Sequence, residues 1–217
     1  MSGRVDELID ALAADVPPVR PLGRPLRRAL TTLAMILLLG ATAVYFRGDM
    51  HQLLSRYAGR EALMAVEMAA MLATGLLAIT GAFFLSIPGG SKAWLLAPLP
   101  PFLVWLLLSG IGCFAEWART GTPGATLGHS ADCLLFIVAV SLMLGAPLVW
   151  RLSRAAPIEP FPVAVLGGLG AAALAALLLQ FFHPVAVTLM DLAMHLVAVL
   201  LVVAATGLMN RRVLRPA

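Results

Sequence analysis

The sequence predicts an all-α membrane protein, a bundle of six transmembrane helices preceded by a short cytoplasmic N-terminal amphipathic helix. Three observations carry this. The 217 residues are 61% hydrophobic and 12% charged, where a soluble domain is about half apolar and a quarter charged. The apolar excess falls into six runs, each near the ~20 residues that a bilayer core demands. The basic residues are distributed unevenly between the two sides that these runs define.

Residues 1–28 form the one substantial soluble segment. Val5, Leu8, Ile9 and Leu12 stand at i, i+3, i+4 and i+7, the apolar stripe of a short helix. Ser2 or Gly3 suits its N-cap, and Asp6 and Glu7 its first turn. Pro17 and Pro18 end it. The stretch VPPVRPLGRP then reads as an extended linker, because repeated prolines remove donors and block helix. The first apolar run starts too late and is too long for a signal-peptide core, and no small-residue cleavage site follows it, so a retained anchor is expected.

The predicted spans cover residues 29–46, 62–87, 94–113, 131–150, 163–182 and 188–209. Together they make a transmembrane domain over residues 29–209, with a cytoplasmic tail over 210–217. The second run is long enough to require tilt or to extend beyond the bilayer. Ser86-Ile-Pro-Gly-Gly punctuates the turn after it, and Pro98, Pro100 and Pro101 are expected to kink or delay the third span. The Gly- and Ala-rich stretch from Gly167 to Ala176 suits close helix packing. If both termini are cytoplasmic, 11 of the 15 basic residues fall inside and 4 outside. The loop between the third and fourth spans then faces out.

That outer loop carries the two cysteines of the chain, Cys113 and Cys133, one at each edge. Spans joined by so short a loop are expected to be antiparallel neighbours. A disulfide requires Cα atoms within about 7 Å, and an exterior bacterial compartment permits one. A redox-active or metal-binding pair and a pair of small buried hydrophobes are both open, and there is no CxxC motif. His129 stands four residues before Cys133, and His183 ends the fifth span. Cys and His suit zinc or copper. An interfacial polar role explains the same histidines, so a transient metal ion is the furthest this pattern goes and no resident cofactor is expected.

Glu67, Asp191 and His195 are ionisable groups within the spans, all in the outer halves. Such groups are costly in a bilayer and face a protein interior or a wet cavity. An outward polar pocket is expected, although Asp191 and His195, four apart on one helix face, would equally lock helix packing.

Five stretches then resemble one family: DELIDALAADVPPVRPL, LSIPGGSKAWLLAPLPP, GCFAEW, HSADCLLFI and FHPVAVTLMDLAMH. In order and spacing they are similar to the NrsF family of membrane anti-sigma factors, negative regulators of extracytoplasmic-function (ECF) sigma factors. The resemblance implies six spans in a bacterial inner membrane and a cytoplasmic tail that sequesters an ECF sigma factor. It also implies release on an oxidative or heavy-metal signal through a cysteine pair, which maps to Cys113 and Cys133. On this reading Val5, Leu8, Ile9 and Leu12 bind the sigma factor, and the partners are that protein and the lipid bilayer. Nucleic acid is not bound directly, and no enzymatic activity is expected. The competing class is a membrane thiol oxidoreductase or a small metal permease. The first should show a CxxC, and the second should carry polar groups through the full depth of the bundle.

Overall fold

The computed structural model describes residues 2–14, 22–56, 58–120, 127–155 and 157–182, with isolated helical positions at 197, 200, 201 and 204. Among these residues there is no strand. The helices are α1 (Ser2–Ala14), α2 (Pro25–Arg47), α3 (Met50–Arg56), α4 (Glu61–Leu85), α5 (Leu99–Thr120), α6 (Leu127–Ser153) and α7 (Pro160–Leu179). Five segments in this set are long and apolar enough to cross a membrane, and they correspond to the first five predicted spans. The predicted sixth span lies almost wholly outside the described residues. The helical positions Val197, Leu200, Leu201 and Ala204 fall within it and are exposed.

Proline sets several of the boundaries. Pro25 opens α2 and Pro160 opens α7 at the first helical turn, where a missing N–H costs nothing. The prolines before the third span delay it, as expected, and do not kink it. A 3-10 turn, Lys92–Leu95, comes first, with Ser91 Oγ accepting the Ala93 N–H at 3.3 Å. The α-helix then starts at Leu99 with Pro100 and Pro101 in its first turn. The expected turn after the second span is also present. Gly90 N–H donates to Ile87 O at 3.2 Å, and Gly89 has φ +77°, the left-handed conformation that a type II turn demands after Pro88.

Two boundaries differ from the sequence reading. The third span was expected over 94–113 and the fourth over 131–150. Instead α5 continues to Thr120, and α6 starts at Leu127. Hydropathy marks the part of a helix that lies in the bilayer, whereas backbone hydrogen bonding continues until Gly and Pro interrupt it. Cys113 and Cys133 are therefore inside their helices and not at the edges.

The core is built on a central pair, α4 and α7. Thirteen of the 20 residues of α7 are buried, including Val163, Leu166, Gly170, Leu174 and Leu179, which makes it the helix with the largest buried share. A helix apolar all round belongs in the interior of a bundle. Where it crosses α4, glycines bring the backbones together. A Cβ at Gly75 would stand 2.7 Å from Leu174, and a Cβ at Gly170 would stand 2.6 Å from Ile79 and 3.2 Å from Gly75 O. Thr74 beside this contact is fully buried and returns its hydroxyl to Ala70 O at 2.7 Å. α6 packs on α7 through Ile137 against Ala175 and Leu179. α5 packs on α4 and α7 through Trp105 against Ala70, Met71, Ala173 and Ala176. α2 brings Ala29, Leu33 and Ile36 into the cluster formed by α4, α6 and α7.

The helix ends gather at two levels. Arg28 near the start of α2 meets Arg151 near the end of α6 and Phe83 near the end of α4. At the opposite level, the Asp49 N–H after α2 donates to Phe181 O after α7 at 3.1 Å. Leu38, Leu107, Leu135 and Met143 face outward and are between 63% and 70% exposed. A perimeter of this kind fits lipid; in water it would be an aggregation surface.

The glycine contact predicts an asymmetric response to added side chains. Gly75→Val and Gly170→Val should each lower stability by about 1–3 kcal/mol through overpacking. Gly145→Ala, whose added Cβ meets nothing within 4 Å, should be neutral. Reversible unfolding of the purified protein in mixed micelles measures all three, and equal effects would remove the close crossing from the account.

Candidate functional site

Glu67 stands six residues into α4, about 9 Å from its start at 1.5 Å per residue. It is 8% exposed. An ionisable carboxyl in such a setting needs a donor, and α5 supplies one. Ser109 Oγ donates to Glu67 Oε1 at 2.5 Å, and both residues are buried. Trp105, one turn before Ser109, packs on Ala70 and Met71 just after Glu67, which holds the two helices at hydrogen-bonding distance. Ser109 was missed by the sequence reading. Its signal is a lone hydroxyl in the apolar run WLLLSGIGC, in the span that follows the one carrying a carboxylate.

Asp191 and His195, expected beside Glu67, lie outside the described residues, as does His183. Of the three residues expected to line an outward pocket, Glu67 is the one among the described residues, and it is buried against Ser109. Among the described residues no three His, Cys, Asp or Glu groups could hold a metal ion. The side chains of Cys113, Cys133 and His129 also lie outside the described set, although their backbone positions are within it.

Those backbone positions carry information. Cys113 is seven residues before the end of α5, and Cys133 is six residues after the start of α6. At 1.5 Å per residue both stand roughly 10 Å from the connecting loop, so the two positions are at matched depth. His129 and Cys133 occupy one continuous helix at i, i+4, positions that share a face. Among the described residues α5 is packed closely on α4 and α6 on α7, and α5–α6 is not one of the close pairs. A short loop makes two helices antiparallel, but the small residues of α4 and α7 decide which surfaces meet.

At the soluble end, every described residue of α1 is exposed. Val5, Leu8, Ile9 and Leu12 are between 55% and 61% exposed, at the spacing that puts them along one side of a helix. Asp6, Glu7 and Asp10 are on the same helix. A shallow cleft of about 130 Å³ lies at the end of the bundle where α4 ends and α7 begins. Leu85, Ile87, Pro88, Ile158 and Pro162 line it, and the exposed Lys92–Glu159 ion pair, at 3.0 Å, borders it. The site as a whole carries no nucleophile–base arrangement among the described residues. It offers a polar pair inside the bundle, a cysteine level near one end and an unoccupied apolar stripe on the tail.

The family model described as negative regulator of sigma F, NrsF, matches residues 12–215. The match covers nearly the whole chain, and the chain belongs to the NrsF family: it is a negative regulator of a sigma factor. No curated protein and no solved structure matches it. The match begins at Leu12, so Val5, Leu8 and Ile9 precede it.

Ser109→Ala should destabilise the bundle by about 1–3 kcal/mol, the cost of taking one hydrogen-bond donor from a buried carboxyl. Ser109→Thr, which keeps the hydroxyl, should recover most of that loss. Unfolding midpoints of the two variants in lipid micelles check the pairing, and equal midpoints would mean that the hydroxyl is not what matters.

Proposed function

We propose that this NrsF-family chain is a membrane-bound anti-sigma factor that holds an ECF sigma factor through α1 and releases it on a periplasmic oxidative or heavy-metal signal read near Cys113 and Cys133. The observation that carries the reading is the exposure of α1. Four large apolar residues stand in one row on a helix whose every described residue is exposed. An amphipathic helix laid into an apolar groove is an established recognition mode, and the family supplies a sigma factor as the partner. The inner leaflet is the other surface that such a stripe could enter. Asp6, Glu7 and Asp10 oppose that, because anionic lipid repels acidic helices.

The orientation follows from charge. The end of the bundle adjoining α1 carries Arg24, Arg27, Arg28, Lys92, Arg151 and Arg154. The basic excess belongs on the cytoplasmic side of an inner membrane, where a sigma factor is found. Cys113 and Cys133 are then near the periplasmic end, at matched depth. A disulfide or a shared ion drawing these positions together would pull α5 and α6 towards each other, and hence shift α4 and α7 on which they pack. The signal must favour one bundle state over the other by a few kcal/mol to change the population usefully. Glu67, Asp191 and His195 are proposed as the residues of an outward polar pocket, and His129 and His183 as further ligand candidates for a metal signal.

Two experiments test this. Full-length protein purified with its sigma factor should lose that partner on Leu8→Asp or Leu12→Asp, with a cost of about 2–4 kcal/mol for a charge placed in a buried anchor position. Asp10→Asn should change affinity little. Normal retention by the Leu8→Asp protein would reject the groove. For the signal, Cys113→Ser and Cys133→Ser should each blunt induction of a sigma-dependent reporter by oxidant or metal, while repression in unstressed cells persists. The double variant should match either single one, as two residues acting as a unit do. A full response from the double variant would assign the cysteines to packing.

A further inference from the structure

Arg24, Arg27, Arg28 and Thr31 stand at i, i+3, i+4 and i+7 at the start of α2, so they share a side of its first turns. The last turn of α6 adds Arg151, and Arg154 follows it. Charge counting alone assigns these arginines to topology. Their contacts suggest more. Arg28 Nη2 donates to the Arg151 carbonyl at 2.6 Å, so it satisfies one of the orphan acceptors at the end of α6. Arg151 Nη1 returns to Thr31 Oγ1 at 2.8 Å and Thr32 Oγ1 at 3.1 Å. Both hydroxyls donate to Arg28 O, at 3.1 and 2.8 Å. The Arg28 guanidinium lies 5.2 Å from the centre of the Phe83 ring.

Every acceptor in this clasp is a neutral oxygen or a ring. Among the described residues the ion pair found at this end is Lys92–Glu159, which involves neither arginine. Arg28 Nη1 is buried and has no hydrogen-bond partner. Among the described residues, two partly buried guanidiniums thus face each other with no anion beside them, an arrangement that self-repulsion opposes. Arginine pairs bind phosphate oxygens in a bidentate manner more strongly than neutral acceptors. The surroundings indicate where such a phosphate comes from. Trp150 is 56% exposed, and Arg154 stacks on it at 3.9 Å; Trp marks the headgroup level of a bilayer. Leu26 and Leu30 are exposed on the same turns of α2 and offer an apolar wall to an acyl chain.

We propose that the α2–α6 junction binds the phosphate of an anionic membrane lipid, with Arg28 and Arg151 at its base and Arg27 and Arg154 at its rim. The lipid neutralises the clasp and fixes the entry of α2 into the bundle, which is the point where the tail carrying α1 is attached. The proposal requires that the helices span a bilayer and is independent of what α1 binds.

The test uses full-length protein in nanodiscs of phosphatidylcholine alone or mixed equally with phosphatidylglycerol. Lipids retained on release from the disc are identified by native mass spectrometry, and thermal unfolding is followed in parallel. The wild type should retain phosphatidylglycerol in preference to phosphatidylcholine and unfold at higher temperature in the mixed discs. Arg28→Gln with Arg151→Gln should lose the preference, by about fivefold for each arginine removed. Should that variant fail to fold, Arg27→Gln with Arg154→Gln removes only charges outside the hydrogen-bonded clasp, and it should lower retention several-fold without unfolding. Arg47→Gln with Arg60→Gln, at the opposite end, should leave retention unchanged. Wild-type retention in both α2–α6 variants would overturn the site. Inorganic phosphate that raises the unfolding temperature equally in phosphatidylcholine discs would overturn the lipid as its occupant.

Discussion

The crossing of α4 and α7 at Gly75 and Gly170 is the contact on which the bundle depends. In a bilayer, burying apolar side chains against one another gains little over leaving them in lipid, so close packing must supply the association. Glycines let the two backbones approach until a Cβ on either would clash with the other helix. The remaining helices inherit their places from this pair. α5 lies against α4 and the neighbouring face of α7, α6 lies on α7, and α2 closes the side where α4, α6 and α7 meet. Gly81 and Gly40 repeat the device more weakly, where Leu166 and Trp94, or Leu178, come within about 3 Å of the position a Cβ would take.

Polar contacts then fix the outer helices at definite heights. Glu67 and Ser109 tie α4 to α5 in one half of the bundle, while Arg28, Arg151 and the two threonines tie α2 to α6 at the opposite end. Dispersion sets which surfaces meet but resists sliding weakly. A hydrogen bond in an apolar medium tolerates little displacement, because its loss leaves a polar group without water. Helices held this way have a small number of allowed registers, which a protein that must switch between two states requires.

The proposed signalling route uses this construction. Cys113 on α5 and Cys133 on α6 are at matched depth but on helices that pack on different members of the central pair. A link between those positions acts on both halves of the glycine crossing at once. The tail meets the bundle at the other end, where α2 starts beside the end of α6. A displacement of α6 along its axis is therefore felt at Arg151 and passed to Arg28, three residues beyond the start of α2 at Pro25.

Much of this was legible in the sequence because bilayers impose one-dimensional rules. Uninterrupted apolar runs of fixed length gave the five spans now described, and Pro88-Gly89 gave the turn between the second and third. The stretches that resemble the NrsF family likewise sit in a chain that belongs to it. The sequence could not show where α5 and α6 end, since hydropathy stops at the membrane surface while helical hydrogen bonding continues past it. Nor could it show which helices pack together: α5 and α6 are consecutive, yet each finds its closest surface elsewhere. Partner choice is decided by where small residues on different helices coincide in space, and that is a property of the assembled bundle. The same holds for Ser109 and for the Arg28–Arg151 clasp. A lone serine in an apolar run and an arginine at a span end have no evident role until folding places a carboxylate or a second guanidinium beside them.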